Sequence, residues 1–192
     1  MGQNEPTDFA TYAKRVAQYF EIAATVLDDD VARAIEIVLA AMRAGGKAIF
    51  CGNGGSAADS QHLSAELVGR YLVDRDPLPA LALSVDTSAL TAIGNDYGFD
   101  QVFARQLRGV GRAGDVLIAM STSGNSRNVI AAIEAAQHMR IATIGFTGAG
   151  GGAVADRCDL AIRVPATQTN HVQELHIAIG HYLCGRVESA LR

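Results

Sequence analysis

Five short apolar runs recur along the chain, at 47–51, 80–84, 116–120, 141–146 and 159–164, and none of them alternates with polar residues. A strand with one wet face must alternate, so a run such as Val116-Leu117-Ile118-Ala119-Met120 reads as a strand covered on both sides. Helical or loop-plus-helix stretches separate the runs, near 57–71, 87–93, 100–110 and 126–139, and a last helix covers about 169–190. This order predicts an α/β fold: a five-stranded parallel sheet, doubly wound and flanked by helices, with ligands at the carboxyl ends of its strands.

Two amphipathic helices precede the first strand. Phe9, Tyr12, Val16, Tyr19, Phe20, Ala23 and Val26 recur at three- and four-residue spacing over 9–27, and Val31, Ala34, Ile35, Val38, Leu39 and Met42 do so over 31–44, before Gly45-Gly46. They form a helical extension, 1–45, to an α/β core over 46–192, and the 192 residues read as a single domain. Their apolar faces suit either the chain's own sheet or a subunit interface.

Hydrophobic residues make up 49% of the chain and charged residues 19%, enough for a core and too little charge for disorder. A net charge of −4 excludes a nucleic-acid-coating surface. Met1-Gly2-Gln3-Asn4-Glu5-Pro6 lacks the basic and apolar regions of a leader, and no run approaches about 18 apolar residues, so no membrane association and a cytoplasmic location are expected. Cys51, Cys158 and Cys184 form no C-x-x-C and read as core thiols of a reducing compartment.

The chemistry concentrates after the first strand, in Gly52-Asn53-Gly54-Gly55-Ser56. Three glycines in four positions, a capping-type serine and a helix describe a tight loop whose amides and helix dipole favour an anion. Neither nucleotide fingerprint occurs here, and a turn that serves packing alone remains open. In the helix that follows, His62 and Glu66 are four apart on one face. They suit proton transfer or two ligands of a metal, and equally a solvated surface pair.

After the third strand, Ser121-Thr122-Ser123-Gly124-Asn125-Ser126 places four hydroxyls between a strand end and a helix start. That is more than an N-cap requires and forms an oxyanion site without lysine. The loop Thr147 to Gly152 reads as structural. Thr91 to Gly98 reads as a polar turn between helical pieces, with Asn95 and Asp96 as turn residues. In the last helix Gln173 and His181 lie two turns apart and can face one cavity, while His176 reads as a packed core histidine.

Taken in order, Cys51-Gly52-Asn53-Gly54-Gly55-Ser56, the His62/Glu66 pair, Gly94-Asn95-Asp96-Tyr97-Gly98, Gly114-Asp115-Val116-Leu117, Ser121 to Ser126, and Gln173-Glu174-x-His176 with His181 resemble the sugar isomerase (SIS) domain family over nearly the whole chain. Within it they resemble the bacterial isomerases of seven-carbon sugar phosphates. The resemblance implies an aldose–ketose isomerase that converts sedoheptulose 7-phosphate to D-glycero-D-manno-heptose 7-phosphate through an enediol. That is the first step toward the ADP- or GDP-heptose of bacterial surface polysaccharide. It further implies that Asn53, Gly54, Gly55 and Ser56 line the sugar, that Ser121, Thr122, Ser123 and Ser126 hold the phosphate, and that Asn95, Asp96 and Gln173 complete the pocket.

Glu66 and His181 are then the catalytic pair, and His62, Glu66, Gln173 and His181 the ligands of one zinc ion per subunit. A carboxylate bound to zinc is a weaker base, so Glu66's two roles compete. A homotetramer with sites at subunit interfaces would engage the N-terminal helices. His171-Val172 stand where a basic residue and isoleucine are expected, a departure at the rim of the site. The competing readings are a non-catalytic relative that binds a replication-initiation protein, a phosphosugar-sensing regulator, and an isomerase of another phosphosugar.

Overall fold

The structure, a computed structural model, describes residues 8–192; the stretch Met1 to Pro6 discussed above lies outside them. Five parallel strands, β1 (Ala48–Gly52), β2 (Ala80–Ala82), β3 (Val116–Ser121), β4 (Ala142–Thr147) and β5 (Leu160–Arg163), form one sheet in the order β2-β1-β3-β4-β5. The helices are α1 (Phe9–Val26), α2 (Asp28–Arg43), α3 (Gly55–Val68), α4 (Thr87–Tyr97), α5 (Val102–Val110), α6 (Arg127–His138), α7 (Gly152–Arg157) and α8 (Thr169–Leu191).

Each strand is buried on both faces because its residues divide between two cores. Phe50, Ile118, Met120, Ile144 and Phe146 face α2, α3 and α8, whereas Ile49, Cys51, Leu117 and Ala119 face α5 and α6. Period-two division of an unbroken apolar run is what a doubly covered strand requires. The strand order reverses direction between β1 and β3, whose ends are level through the pair Gly52 and Met120. A crevice therefore opens at the carboxyl ends of these two strands. Both Gly/Ser loops leave from there.

Several elements differ from the sequence reading. Asp28, Asp29 and Asp30 are the first turn of α2 rather than its lead-in, since three carboxylates are favourable at the positive end of the dipole. Helix α3 begins at Gly55, with Gly54 as its N-cap at φ +55, so Ser56 is a buried residue of the first turn and not the cap. Thr91 to Tyr97 is helical, the end of α4, so Asn95 and Asp96 are helix residues rather than a turn. The Asp86 carboxylate, which accepts from the Ala89 N–H at 2.9 Å, starts that helix. The Thr147–Gly152 loop runs into a short helix, α7, that periodicity over six residues cannot reveal.

The two N-terminal helices part company. Helix α2 joins the core through Val31, Ala34, Ile35, Val38 and Leu39, whereas α1 fully buries Ala23 alone and leaves Phe9 81% and Val26 57% exposed. Helix α1 is tied to the start of α8: the Tyr12 hydroxyl donates to the Glu174 carboxylate, and the Tyr12 and Tyr19 rings flank buried His171 at 5.2 and 5.1 Å. Among the described residues no helix is long and apolar enough to cross a membrane.

Candidate active site

Helices α3 and α8 run parallel along the crevice in a fixed register. The Gln173 amide lies over Gly55 and the Leu63 side chain lies over Gly180; an added Cβ at either glycine would come within 2.4 Å of the residue it faces. Further along, the Tyr71 ring covers Gly185 and the Cys184 thiol points at the Leu63 carbonyl, 3.8 Å away. The absence of side chains at Gly55 and Gly180 lets the two helices approach closely enough for their polar residues to meet.

What meets is three of the four expected metal ligands. His62 Nε2 lies 2.8 Å from His181 Nε2 and 3.1 Å from Glu66 Oε1, and the three ligand atoms are all within 4.8 Å of one another. Two imidazole nitrogens and a carboxylate oxygen at one point, half open to solvent, form a possible metal-binding triad. Neutral imidazole and carboxylate are donors suited to zinc and other borderline divalent ions. Gln173 stands two turns before His181, its amide over the first turn of α3.

Asp59, one turn before His62, has its carboxyl pushed above the usual range by burial, with His62 opposing the shift. One of its oxygens is buried without a hydrogen bond. Nothing in the residue pattern singled it out, because an aspartate near the start of a helix reads as an ordinary helix-dipole partner.

The hydroxyl loop, at the carboxyl end of β3, closes on itself. Ser121 and Ser126 hydroxyls are 2.9 Å apart, and the Asn125 N–H donates to the Ser123 hydroxyl at 3.2 Å. Ser126 is the N-cap of α6, but its hydroxyl faces Ser121 instead of the helix, which leaves the first-turn N–H groups of α6 without a side-chain cap. Those amides are the donors an anion takes up.

The Thr147–Gly152 loop braces the hydroxyl loop. The Gly148 and Val154 N–H groups donate to the Thr122 and Gly124 carbonyls, and the Ala153 N–H to the Asn125 side chain. Gly124, at φ +68, lies so close to it that a Cβ would be 1.9 Å from the Gly151 carbonyl. His176 hangs beneath, fully buried, its Nε2 3.2 Å from the Thr147 carbonyl, and burial pushes its pKa down to about 4.

Asn53, from the first loop, turns its amide across the crevice to Asn128 of α6, a residue that sequence reasoning missed. Gly54 and Gly55 are exposed at the crevice mouth. Asn95 and Asp96 are exposed on α4, where the Asn95 amide donates to the Asp96 carboxylate at 2.7 Å; no contact joins them to the other predicted residues. Helix α4 fully buries none of its residues.

A doubly wound parallel sheet with Gly/Ser loops at its switch point, and a His/Glu/His cluster between α3 and α8, fit a SIS domain. The SIS domain profile matches residues 11–148, and the chain belongs to that family. Within the family it stands with the phosphoheptose isomerases. It is 63% identical over 161 residues to the phosphoheptose isomerase of Rhodospirillum rubrum, covering 84% of this chain and 86% of that one. The phosphoheptose isomerase structure from Neisseria gonorrhoeae superposes with a TM-score of 0.89 at 44% identity, over 94% of this chain and 97% of that one. The Francisella tularensis enzyme gives a TM-score of 0.91 at 35% identity, over 94% and 96%.

Proposed function

We propose that the chain interconverts sedoheptulose 7-phosphate and D-glycero-D-manno-heptose 7-phosphate, an aldose–ketose isomerisation that feeds nucleotide-activated heptose in the cytoplasm. The observation that carries this reading is the convergence of Glu66, His62 and His181 in a chain 63% identical to a phosphoheptose isomerase.

Ser121, Thr122, Ser123 and Ser126, with the free amides of α6, take the phosphate. Phosphate binding far from the reacting carbons holds the substrate in one orientation. Asn53, Gly54, Gly55, Ser56 and Gln173 then line the sugar, and Asn95 and Asp96 serve the site of a neighbouring subunit in a homotetramer. Glu66 takes the proton from the carbon beside the ketone and returns it to the former carbonyl carbon by way of an enediol. His181 moves the matching proton between the two oxygens. His62, Glu66 and His181, with Gln173 as the fourth donor, would hold zinc, which when bound supplies Lewis-acid polarisation of the substrate oxygens.

The test is turnover of sedoheptulose 7-phosphate by the parent chain and Glu66→Gln, each metal-stripped and zinc-loaded. Turnover in the parent and its near-loss in Glu66→Gln is the expected result. A folded parent without turnover under any metal condition overturns it.

A further inference from the structure

The Glu66/His181 pair sits on two helices, and a third point fixes both. Glu188, near the end of α8, is 2% exposed and accepts hydrogen bonds from three successive N–H groups, Tyr71 and Leu72 at 2.8 Å and Val73 at 3.2 Å. Arg75 Nε lies 3.2 Å from the same carboxylate, as an ion contact rather than an aligned hydrogen bond. Burial acts to raise the Glu188 pKa, but the three amides and Arg75 outweigh it and hold it below the usual glutamate range.

The other edge of the Arg75 guanidinium caps α3. Its Nη2 donates to the Glu66 carbonyl at 2.9 Å, and its Nη1 to the Leu67, Gly69 and Asp76 carbonyls at 2.9, 3.3 and 3.0 Å. Carbonyls of a last helical turn have no partner within the helix, and a cation there is favourable. Tyr71, whose N–H Glu188 holds, lays its ring on the His181 imidazole, with centroids 5.7 Å apart and planes at 19°. The ring fits because Gly185 has no side chain; a Cβ there would be 3.1 Å from it.

We propose that the Arg75–Glu188 pair, acting through the Tyr71 ring and the α3 terminus, positions the acid and base of the isomerase. The inference rests on the functional reading above. Arg75 sets the backbone of Glu66, Glu188 sets Tyr71, and Tyr71 sets the plane of His181. None of the three is a catalytic residue.

The experiment compares Tyr71→Phe, Tyr71→Leu and Glu188→Gln with the parent. Melting curves first establish that each is folded at the assay temperature. Tyr71→Leu keeps the N–H that Glu188 holds, so it remains informative if Glu188→Gln does not fold. Expected are a fall of about tenfold in kcat with KM within twofold for Tyr71→Leu and for folded Glu188→Gln, and near-parent values for Tyr71→Phe. In metal-free protein the upfield ring-current shift of the His181 ring protons should persist in Tyr71→Phe and vanish in the other two. Folded Tyr71→Leu with parental kcat, or a His181 shift unchanged in Tyr71→Leu, overturns the proposal. A parent that shows the shift but no turnover fails the functional reading and leaves the geometric claim standing on the NMR result.

Discussion

Asn53 and Asn128 exchange both amide hydrogen bonds, each 2.8 Å long, so the loop after β1 and the helix after β3 are locked to one another across the crevice. The pair fixes the distance between the glycine loop and the hydroxyl loop, which the proposed function assigns to the sugar and the phosphate. Asn128→Leu leaves the Asn53 amide facing an apolar group at a part-buried position, a loss of about 1 to 3 kcal/mol. We expect a lower urea midpoint and a KM raised severalfold with kcat less affected, read by denaturation and steady-state kinetics.

The hydroxyl loop, the proposed phosphate site, has no room for a methyl group at its tip. Gly124→Ala would place a Cβ 1.9 Å from the Gly151 carbonyl, at a φ of +68 that L-residues rarely adopt. The loop must then move away from its brace. Binding of inorganic phosphate, measured by calorimetry, should weaken by at least about tenfold, since charge-assisted hydrogen bonds lose strength steeply with misalignment.

On the proposed reading, zinc at the His62, Glu66 and His181 donors would bind only the folded chain and so stabilise it. At a free concentration of about 100 times its Kd the gain is about 2.7 kcal/mol. For a chain of this length we expect a rise of several degrees in Tm, from roughly 2 to 4 °C per kcal/mol. His181→Ala should abolish that rise, as scanning calorimetry with and without zinc will show.

His176 makes stability depend on pH well above the carboxylate range. Its folded pKa is pushed down by burial to about 4 from 6.5, with the bond to the Thr147 carbonyl opposing the shift. Between these values the unfolded chain takes up a proton that the folded chain refuses. Stability is therefore present above pH 6.5 and is lost as the pH falls toward 4, by up to about 3 kcal/mol. The urea midpoint should drop between pH 7 and pH 5 in the parent and drop less in His176→Gln.

The sheet was legible because each buried strand is an unbroken apolar run, and the hydroxyl-rich turn from β3 to α6 because four hydroxyls exceed any capping need. His62 and Glu66 were legible as a pair through helical spacing. Their meeting with His181 was not, because no spacing rule relates positions 119 apart; the family resemblance carried it. Asn128, Tyr71 and Glu188 left no signal of their own. Each lies among apolar helix or loop positions, and its role depends on partners from another element. Asn95 and Asp96 read as a turn because asparagine and aspartate are common there, and the Asp86 cap that makes them helical acts from ten residues upstream.

The parallel register of α3 and α8 has a consequence for how the protein comes into being. His62 emerges from the ribosome 119 residues before its counterpart His181, which lies on a helix that must bring its glycines under Leu63 and Tyr71. A nascent chain without α8 presents His62 and Glu66 on α3 without the third donor of the cluster. The three-donor cluster is thus assembled only when α8 docks on α3.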